Sequence, residues 1–223
     1  MNRLALFDCD GTLVDSGANI CAAMEQTFAK AALDVPERRA IRRIVGLSLV
    51  EAMAVLHPVG EPDHHRALAE AYKATFSAMR DTPHFSPEPL YDGIGEAITA
   101  LADAGWVLGV ATGKSDRGLA MVLAHHGLTA RFVTLQTADR HPSKPDPAMA
   151  LAAIAQAGAA PGTTVMIGDT SFDMAMGVAA GAQAVGVAWG YHEAAELHAA
   201  GATRVVSTAA ELPAALEDLL PSG

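Results

Sequence analysis

The stretch Leu4-Ala5-Leu6-Phe7-Asp8-Cys9-Asp10-Gly11-Thr12-Leu13 passes from four apolar residues straight into two carboxylates and a glycine. A continuous apolar run, rather than an alternating one, reads as a strand buried on both faces, and such strands belong to parallel sheets covered by helices. Acids directly after that strand lie at the carboxyl end of the sheet, where open α/β folds bind ligands. Asp8 and Asp10 are two residues apart and share a side if the extended geometry persists, while Gly11 permits the turn that follows. Two carboxylates this close suit a hard cation such as Mg2+; an Asp-Gly surface turn explains the same fragment without one.

Outward from this stretch, further short apolar runs occur at residues 106–111, 132–135, 164–167, 184–187 and 204–206. Helical sequence separates them at 94–104, 116–126, 147–156, 172–180, 192–199 and 209–219, several stretches closed by glycine. Strand and helix alternate, so the class is α/β. Residues 16–87 break the rhythm: helix-forming sequence at 18–32, 37–45, 49–56 and 62–80 contains no convincing strand. A helical module is expected there, leaving 1–15 and 88–223 as the core. Its exit, Pro83-His84-Phe85-Ser86-Pro87-Glu88-Pro89, cannot continue a helix and reads as one strand of a hinge.

The chain has 223 residues, 51% of them hydrophobic and 18% charged, which excludes a disordered chain and allows a full core. A net charge of −10 repels phosphate backbones, so no nucleic-acid partner is expected. Cys9 and Cys21 are too few for a disulfide framework and form no zinc motif, and the acid at Asp8 comes too soon for a signal-peptide core. A cytoplasmic protein is expected, as a monomer or small homo-oligomer. The uncharged stretches 147–168 and 174–192 reach the roughly 20 residues of a membrane span, but their glycines, glutamines and Pro161 read as helix, turn and buried strand. No membrane partner is expected.

Three further clusters follow predicted strands or precede helices: Thr112-Gly113-Lys114-Ser115, Lys144-Pro145-Asp146-Pro147 and Gly168-Asp169-Thr170-Ser171-Phe172-Asp173. Singly, each has an ordinary explanation as a helix cap or a solvated lysine. In this order, DxDGT, a hydrophobic run ending in Thr, Lys-Pro and GDxxxD, the sequence resembles the phosphatase branch of the haloacid dehalogenase superfamily over the whole chain. The helical insertion resembles that superfamily's small cap, and Gly186-Val187-Ala188-Trp189-Gly190-Tyr191 resembles its phosphoglycolate phosphatase-like subgroup.

The resemblance implies a Rossmann-like sheet of strand order 3-2-1-4-5, with the first and fourth strands adjacent, so that Asp8 and Asp169 meet. It implies Asp8 as nucleophile and Asp10 as general acid and then base, the latter needing surroundings that raise its proton affinity. Mg2+ would be held by Asp8, the main-chain carbonyl of Asp10 and Asp169, supported by Asp173. Lys144 would neutralise phosphoryl charge, and Thr112 and amides near Gly113 would bind the phosphoryl oxygens. The implied function is Mg2+-dependent hydrolysis of a small phosphorylated metabolite, phosphoglycolate-like, through an aspartyl-phosphate. The alternatives are an inorganic pyrophosphatase or another phosphotransferase or phosphonatase of the superfamily, with dehalogenation last.

Asp10 itself argues against dehalogenation, because a departing halide needs no proton. In Val45-Gly46-Leu47-Ser48-Leu49, Leu stands where related sugar-phosphate mutases carry arginine, and the insertion's lysines, Lys30 and Lys73, lie in sequence that suggests no apolar pocket for a phosphonatase Schiff base. A phospho-acceptor receiver domain shares the acids, Thr and Lys-Pro, but lacks an insertion and places its phosphorylated Asp on a later strand. His64-His65 and His125-His126 are neighbours that do not share a helix face, so a two-histidine metal site is not expected. Gly93-Ile94-Gly95 reads as a helix start. The basic cluster Arg38, Arg39, Arg42 and Arg43 is a solvated face by default and a steering patch for anions as the sharper reading.

Overall fold

Strand β1 (Asn2–Phe7) is the apolar run quoted above, and its last four residues are inaccessible to solvent. The computed structural model describes residues 1–83 and 85–220, so His84 in the proline-rich exit lies outside the described residues, as do 221–223 at the end of the expected core. The other strands are β2 (Val107–Thr112), β3 (Thr134–Thr137), β4 (Ala159–Gly168), β5 (Gln183–Val187) and β6 (Arg204–Val206). All pair in parallel, in the order β3-β2-β1-β4-β5-β6. The expected order 3-2-1-4-5 is therefore extended by a short sixth strand at one edge.

Alternation along β1 divides the core. Ala5 and Phe7 pack on one face with Ile98 and Leu101 of helix α5 (Ile94–Asp103) and with Leu212 and Leu216 of the C-terminal helix (Leu212–Leu219). Leu4 and Leu6 pack on the other face with Met149, Ala150 and Ala153 of the helix Ala148–Gln156 and with Met176 of the helix Ser171–Ala179. Both faces of the central strand are thus buried, which is why its sequence does not alternate.

The insertion forms α1 (Gly17–Lys30), α2 (Arg38–Arg43), α3 (Leu49–Leu56) and α4 (Pro62–Arg80). These helices share their own apolar cluster, including Met24, Phe28, Ile41, Met53 and Leu68. Among the described residues no helix is long and apolar enough to cross a membrane.

The remaining helices are α6 (Asp116–His125), α7 (Ala148–Gln156), α8 (Ser171–Ala179), α9 (Ala194–Ala199) and α10 (Leu212–Leu219). Boundaries differ from the sequence reading for local reasons. β4 begins at Ala159 instead of 164, with a register shift against β1 between the pairs Asn2–Ala159 and Leu4–Thr164. Thr163 Oγ donates to Asn2 O at 2.8 Å and Thr164 Oγ to Ala160 O at 2.8 Å, so side chains satisfy the backbone that the irregularity releases. β3 starts at Thr134, two residues late, because Thr129–Arg131 forms a 3-10 turn and Phe132 packs edge-on against Phe7 at 6.3 Å. Gly93 does start a helix, with φ +79° at the cap of α5.

Replacing fully buried Ile98 on α5 by alanine removes branched apolar volume from this core. Ile98→Ala is expected to cost about 2–5 kcal/mol, read from the urea midpoint and slope; a loss below about 1 kcal/mol would contradict the packing described.

Candidate active site

Asp8 follows β1 directly, and its N–H donates to Ile167 O of β4 at 2.8 Å, which carries the strand pairing one residue beyond Phe7. The chain then turns tightly: Gly11 has φ +86°, and Gly11 N–H reaches Val14 O at 2.9 Å while Leu13 N–H reaches Cys9 O at 2.9 Å. Asp8 is inaccessible and Asp10 nearly so, and both border one cavity. Their carboxylates have different partners, which splits the expected pair into two centres.

The first centre is a buried cluster of Asp8, Asp169 and Asp173, whose carboxylate oxygens lie within 4.8 Å of one another. Lys144, itself buried, places Nζ 2.7 Å from Asp8 Oδ1 and 2.6 Å from Asp173 Oδ1. Asp173 Oδ2 accepts from Thr170 N at 3.0 Å and from Thr170 Oγ at 2.6 Å in the capping box of α8. Asp169 Oδ1 accepts from Thr12 Oγ at 2.8 Å and Oδ2 from Tyr191 N at 2.9 Å. Two glycines form the walls of this slot: a Cβ on Gly11 would lie 2.3 Å from Asp169 Oδ2, and one on Gly190 would lie 2.2 Å from Asp169 Cβ. Asp8 differs from both. Its Oδ1 meets Lys144 as an ion pair, and its buried Oδ2 has no hydrogen-bond partner.

The charges do not balance. Burial pushes the Asp8 carboxyl up to about 7, against the pull of Lys144 and with a further push from Asp173. Burial also holds Asp169 well above the usual carboxylate range, helped by Asp173 and Asp8. Burial alone would push the Lys144 ammonium down, but Asp173 and Asp8 more than offset it and hold it up. Three acids against one ammonium, all oxygen donors, with one oxygen unpartnered, fit a hard divalent cation. The Asp10 carboxylate is outside this cluster.

The second centre is Asp10 with Lys114, whose Nζ lies 2.8 Å from Asp10 Oδ1 with both side chains about nine-tenths buried. Here too burial alone would lower the lysine, and Asp10 more than offsets it. Thr112 ends β2, and its Oγ accepts from Lys114 N at 3.2 Å, leaving the hydroxyl hydrogen free to donate. Gly113 lies under the insertion: a Cβ there would meet Leu47 O at 2.6 Å and Gly46 O at 2.8 Å.

The cavity, of about 350 Å3, lies between Asp8, Asp10 and the segment 112–115 on one side and the inserted helices on the other. Several polar links cross outside it. Ser48 N–H donates to Ser143 Oγ at 2.8 Å, and Arg43 pairs with Glu196 through two bonds of 2.5 Å. His192 Nδ1 accepts from Ser171 N at 3.1 Å, so its Nε2 carries the hydrogen that meets Arg43 O at 3.1 Å.

Three sequence readings are refined here. None of Arg38, Arg39, Arg42 and Arg43 borders the cavity, because Arg38 turns to Glu25 at 2.6 Å and Arg43 to Glu196. The cations that do border it are Lys73, Arg80, Lys114 and Arg117. Lys73 thus lies beside a largely apolar space after all, although it is half-exposed and paired with Glu70 at 2.8 Å. Finally, the partner of Asp10 is the ammonium of Lys114, a residue to which no site role was given. The histidine pairs form no metal cluster among the described residues; His65 meets His57 O and His126 meets Glu88 O.

Sequence reasoning did not single out Lys114, Thr12 or the Tyr191 amide as site residues. Lys114 was visible beside Thr112-Gly113, and Trp189-Gly190-Tyr191 as a glycine between aromatics after a strand. Trp189 Nε1 donates to Thr12 O at 3.1 Å and Tyr191 OH lies 3.3 Å from Ser16 Oγ, so this loop braces the turn after β1.

A parallel sheet with a buried acid–lysine centre at its carboxyl end, beneath an inserted helical cap, defines a capped α/β hydrolase. The chain belongs to the haloacid dehalogenase-like hydrolase family, whose sequence model matches residues 5–187. It is 35% identical over 223 residues to "Probable phosphatase IndB" of Dickeya dadantii, covering 99% of this chain and 96% of that protein. It is 28% identical to a phosphoglycolate phosphatase of Agrobacterium fabrum, over 100% of this chain and 96% of that one. Among solved structures, a putative haloacid dehalogenase-like hydrolase from Bacteroides fragilis superposes with a TM-score of 0.87 at 25% identity, over 95% of this chain and 100% of that one.

Binding of a divalent cation should relieve the charge imbalance. Millimolar Mg2+ is expected to raise the melting temperature by about 2 °C or more. Asp8 and Asp169 bind protons more readily folded than unfolded, so the stability they contribute to the metal-free protein is lost as pH rises, for Asp8 through about 7. Protons compete with the cation, and the shift should grow between about pH 5.5 and about pH 8. An equal shift in Asp169→Asn, measured by calorimetry, would contradict this assignment.

Proposed function

We propose that this chain is a Mg2+-dependent phosphatase that hydrolyses a small phosphate monoester through an aspartyl-phosphate on Asp8. The observation that carries the reading is the Asp8 carboxylate: buried, facing the cavity, held through Oδ1 by Lys144 and without a partner on Oδ2. The phosphatase names of the relatives support it, and phosphoglycolate is the reference substrate.

In this reading Asp8 attacks phosphorus, forming the Asp8 O–P bond as the bond from phosphorus to the leaving oxygen breaks. Lys144 keeps the Asp8 carboxylate oriented and faces the developing phosphoryl charge. The free hydroxyl hydrogen of Thr112 and the amides near Gly113 bind phosphoryl oxygens. Asp10 gives a proton to the leaving oxygen and later takes one from water, which attacks phosphorus and releases phosphate and the Asp8 carboxylate. The Lys114 ion pair must open, or pass to a substrate oxygen, before Asp10 carries that proton. Asp8, Asp169 and the Asp10 carbonyl would hold Mg2+, with Asp173 held back by Lys144 and Thr170 in a supporting position. Bound there, the ion supplies charge neutralisation between carboxylate and phosphate. Residues 16–87 act as the cap that excludes water from this chemistry.

Asp8→Asn is expected to lose more than about 99% of kcat in a Mg2+-dependent phosphate-release assay. Asp10→Asn should lose alkyl phosphate hydrolysis far more than hydrolysis of aryl phosphates with good leaving groups. Equal losses on both kinds of ester would remove Asp10 from proton transfer.

A further inference from the structure

The wall of the cavity opposite the acids has a different chemistry from its floor. α4 presents Tyr72 and Phe76, four residues apart on one helix face, with ring centroids 5.8 Å apart. Both are about nine-tenths buried, and Met24, Val45, Leu49 and Ala52 complete this wall. The Tyr72 hydroxyl makes no hydrogen bond among the described residues, so the wall holds one polar atom without a protein partner. The cations of the insertion are displaced from it. Lys73 is half-exposed and committed to Glu70, and Arg80 stacks its guanidinium 5.1 Å from the Phe76 ring centre and donates to Met121 Sδ at 3.1 Å. On the floor, Lys114 is committed to Asp10, and Arg117, the remaining bordering cation among the described residues, is exposed on α6 rather than on this wall.

From this we propose that the ester hydrolysed at Asp8 carries an apolar, ring-sized alcohol, seated against Tyr72, Phe76 and Leu49 while its phosphoryl group meets the acids. The inference rests on the phosphatase reading above and narrows it. The space of about 350 Å3 is more than twice the roughly 150 Å3 that accepts a benzene ring, leaving room for the phosphoryl group. A carboxylate on the carbon next to the ester oxygen, as in phosphoglycolate, would be placed against aliphatic and aromatic carbon with no uncommitted cation among the described residues of that wall, at the cost of its hydration. An apolar ring loses nothing there, and a polar substituent on it would satisfy the Tyr72 hydroxyl.

The test compares esters whose leaving alcohols are all unactivated, so that acidity of the alcohol does not set the ranking: benzyl, 2-phenylethyl and ethyl phosphate, glycerol 3-phosphate and phosphoglycolate, with Mg2+. Benzyl or 2-phenylethyl phosphate is expected to exceed ethyl phosphate and phosphoglycolate by about tenfold or more in kcat/KM. Leu49→Asn, at a half-buried wall position, should narrow that gap by about fivefold or more. Calorimetric binding of benzylphosphonate against methylphosphonate to the wild type gives the same comparison without turnover and without a variant. A ranking led by phosphoglycolate, or a flat one, overturns the inference and leaves the phosphatase reading standing. No Mg2+-dependent phosphate release from any ester overturns both.

Discussion

A single buried ammonium, Lys144, holds apart two carboxylates that would otherwise repel each other in a dry space, and a third acid stands beside them. Charges removed from water are costly unless they are paired and hydrogen-bonded, and breaking such a pair by deleting one member is costlier still. The surrounding structure follows from that constraint. Adjacency of β1 and β4 brings Asp8 beside Asp169, the α8 capping box fixes Asp173, and Thr12 and the Tyr191 amide take the lone pairs of Asp169. Every oxygen of the cluster has a protein partner except one, on the residue that faces the cavity. The fold thus spends its hydrogen bonds on orienting the acids and leaves their charge incompletely matched by the one ammonium.

The insertion serves the same centre from outside. Its backbone lies against Gly113, its Ser48 amide against Ser143, and its Arg43 against Glu196 and His192. Beside these polar contacts, Tyr191 of the core packs against the apolar cluster of the four helices, and Arg80 of the insertion meets Met121 of α6. Exposed ion pairs such as Arg43–Glu196 contribute little, on the order of 0–1 kcal/mol each. In the proposed function, weak polar links of this kind suit a cap that shuts out water during phosphoryl transfer and then releases product.

Much of this was legible in the sequence because it was local. Unalternating strands, glycine-closed helices and acids after Phe7 and Ile167 specify the sheet, its class and the end that carries chemistry. The meeting of Asp8, Lys144, Asp169 and Asp173 followed from resemblance and sheet order, since no local pattern joins residues that far apart. What escaped was decided by long-range pairing. The arginines of α2 read by default as a solvated face, with a steering patch as the sharper alternative, and Glu25 and Glu196 hold two of them away from the cavity. Lys73 looked like an ordinary helix lysine, yet the packing of α4 against α1 and α3 puts a cavity beside it. Lys114 stood in plain view beside Thr112, but that its ammonium reaches Asp10 depends on β1 and β2 being neighbours in register. The β4 irregularity depends on the Thr163 hydroxyl answering the Asn2 carbonyl of β1, 161 residues away in the chain.

The central claim is that the Asp8 carboxylate, and no other group, receives the phosphoryl group. Acid quenching of a single turnover with a radiolabelled phosphate monoester, followed by peptide mapping, tests it most directly. The account predicts label on the peptide that contains Asp8, released by hydroxylamine as an acyl phosphate is. Phosphate release in a single turnover without any labelled protein, or label on a different residue, would contradict it.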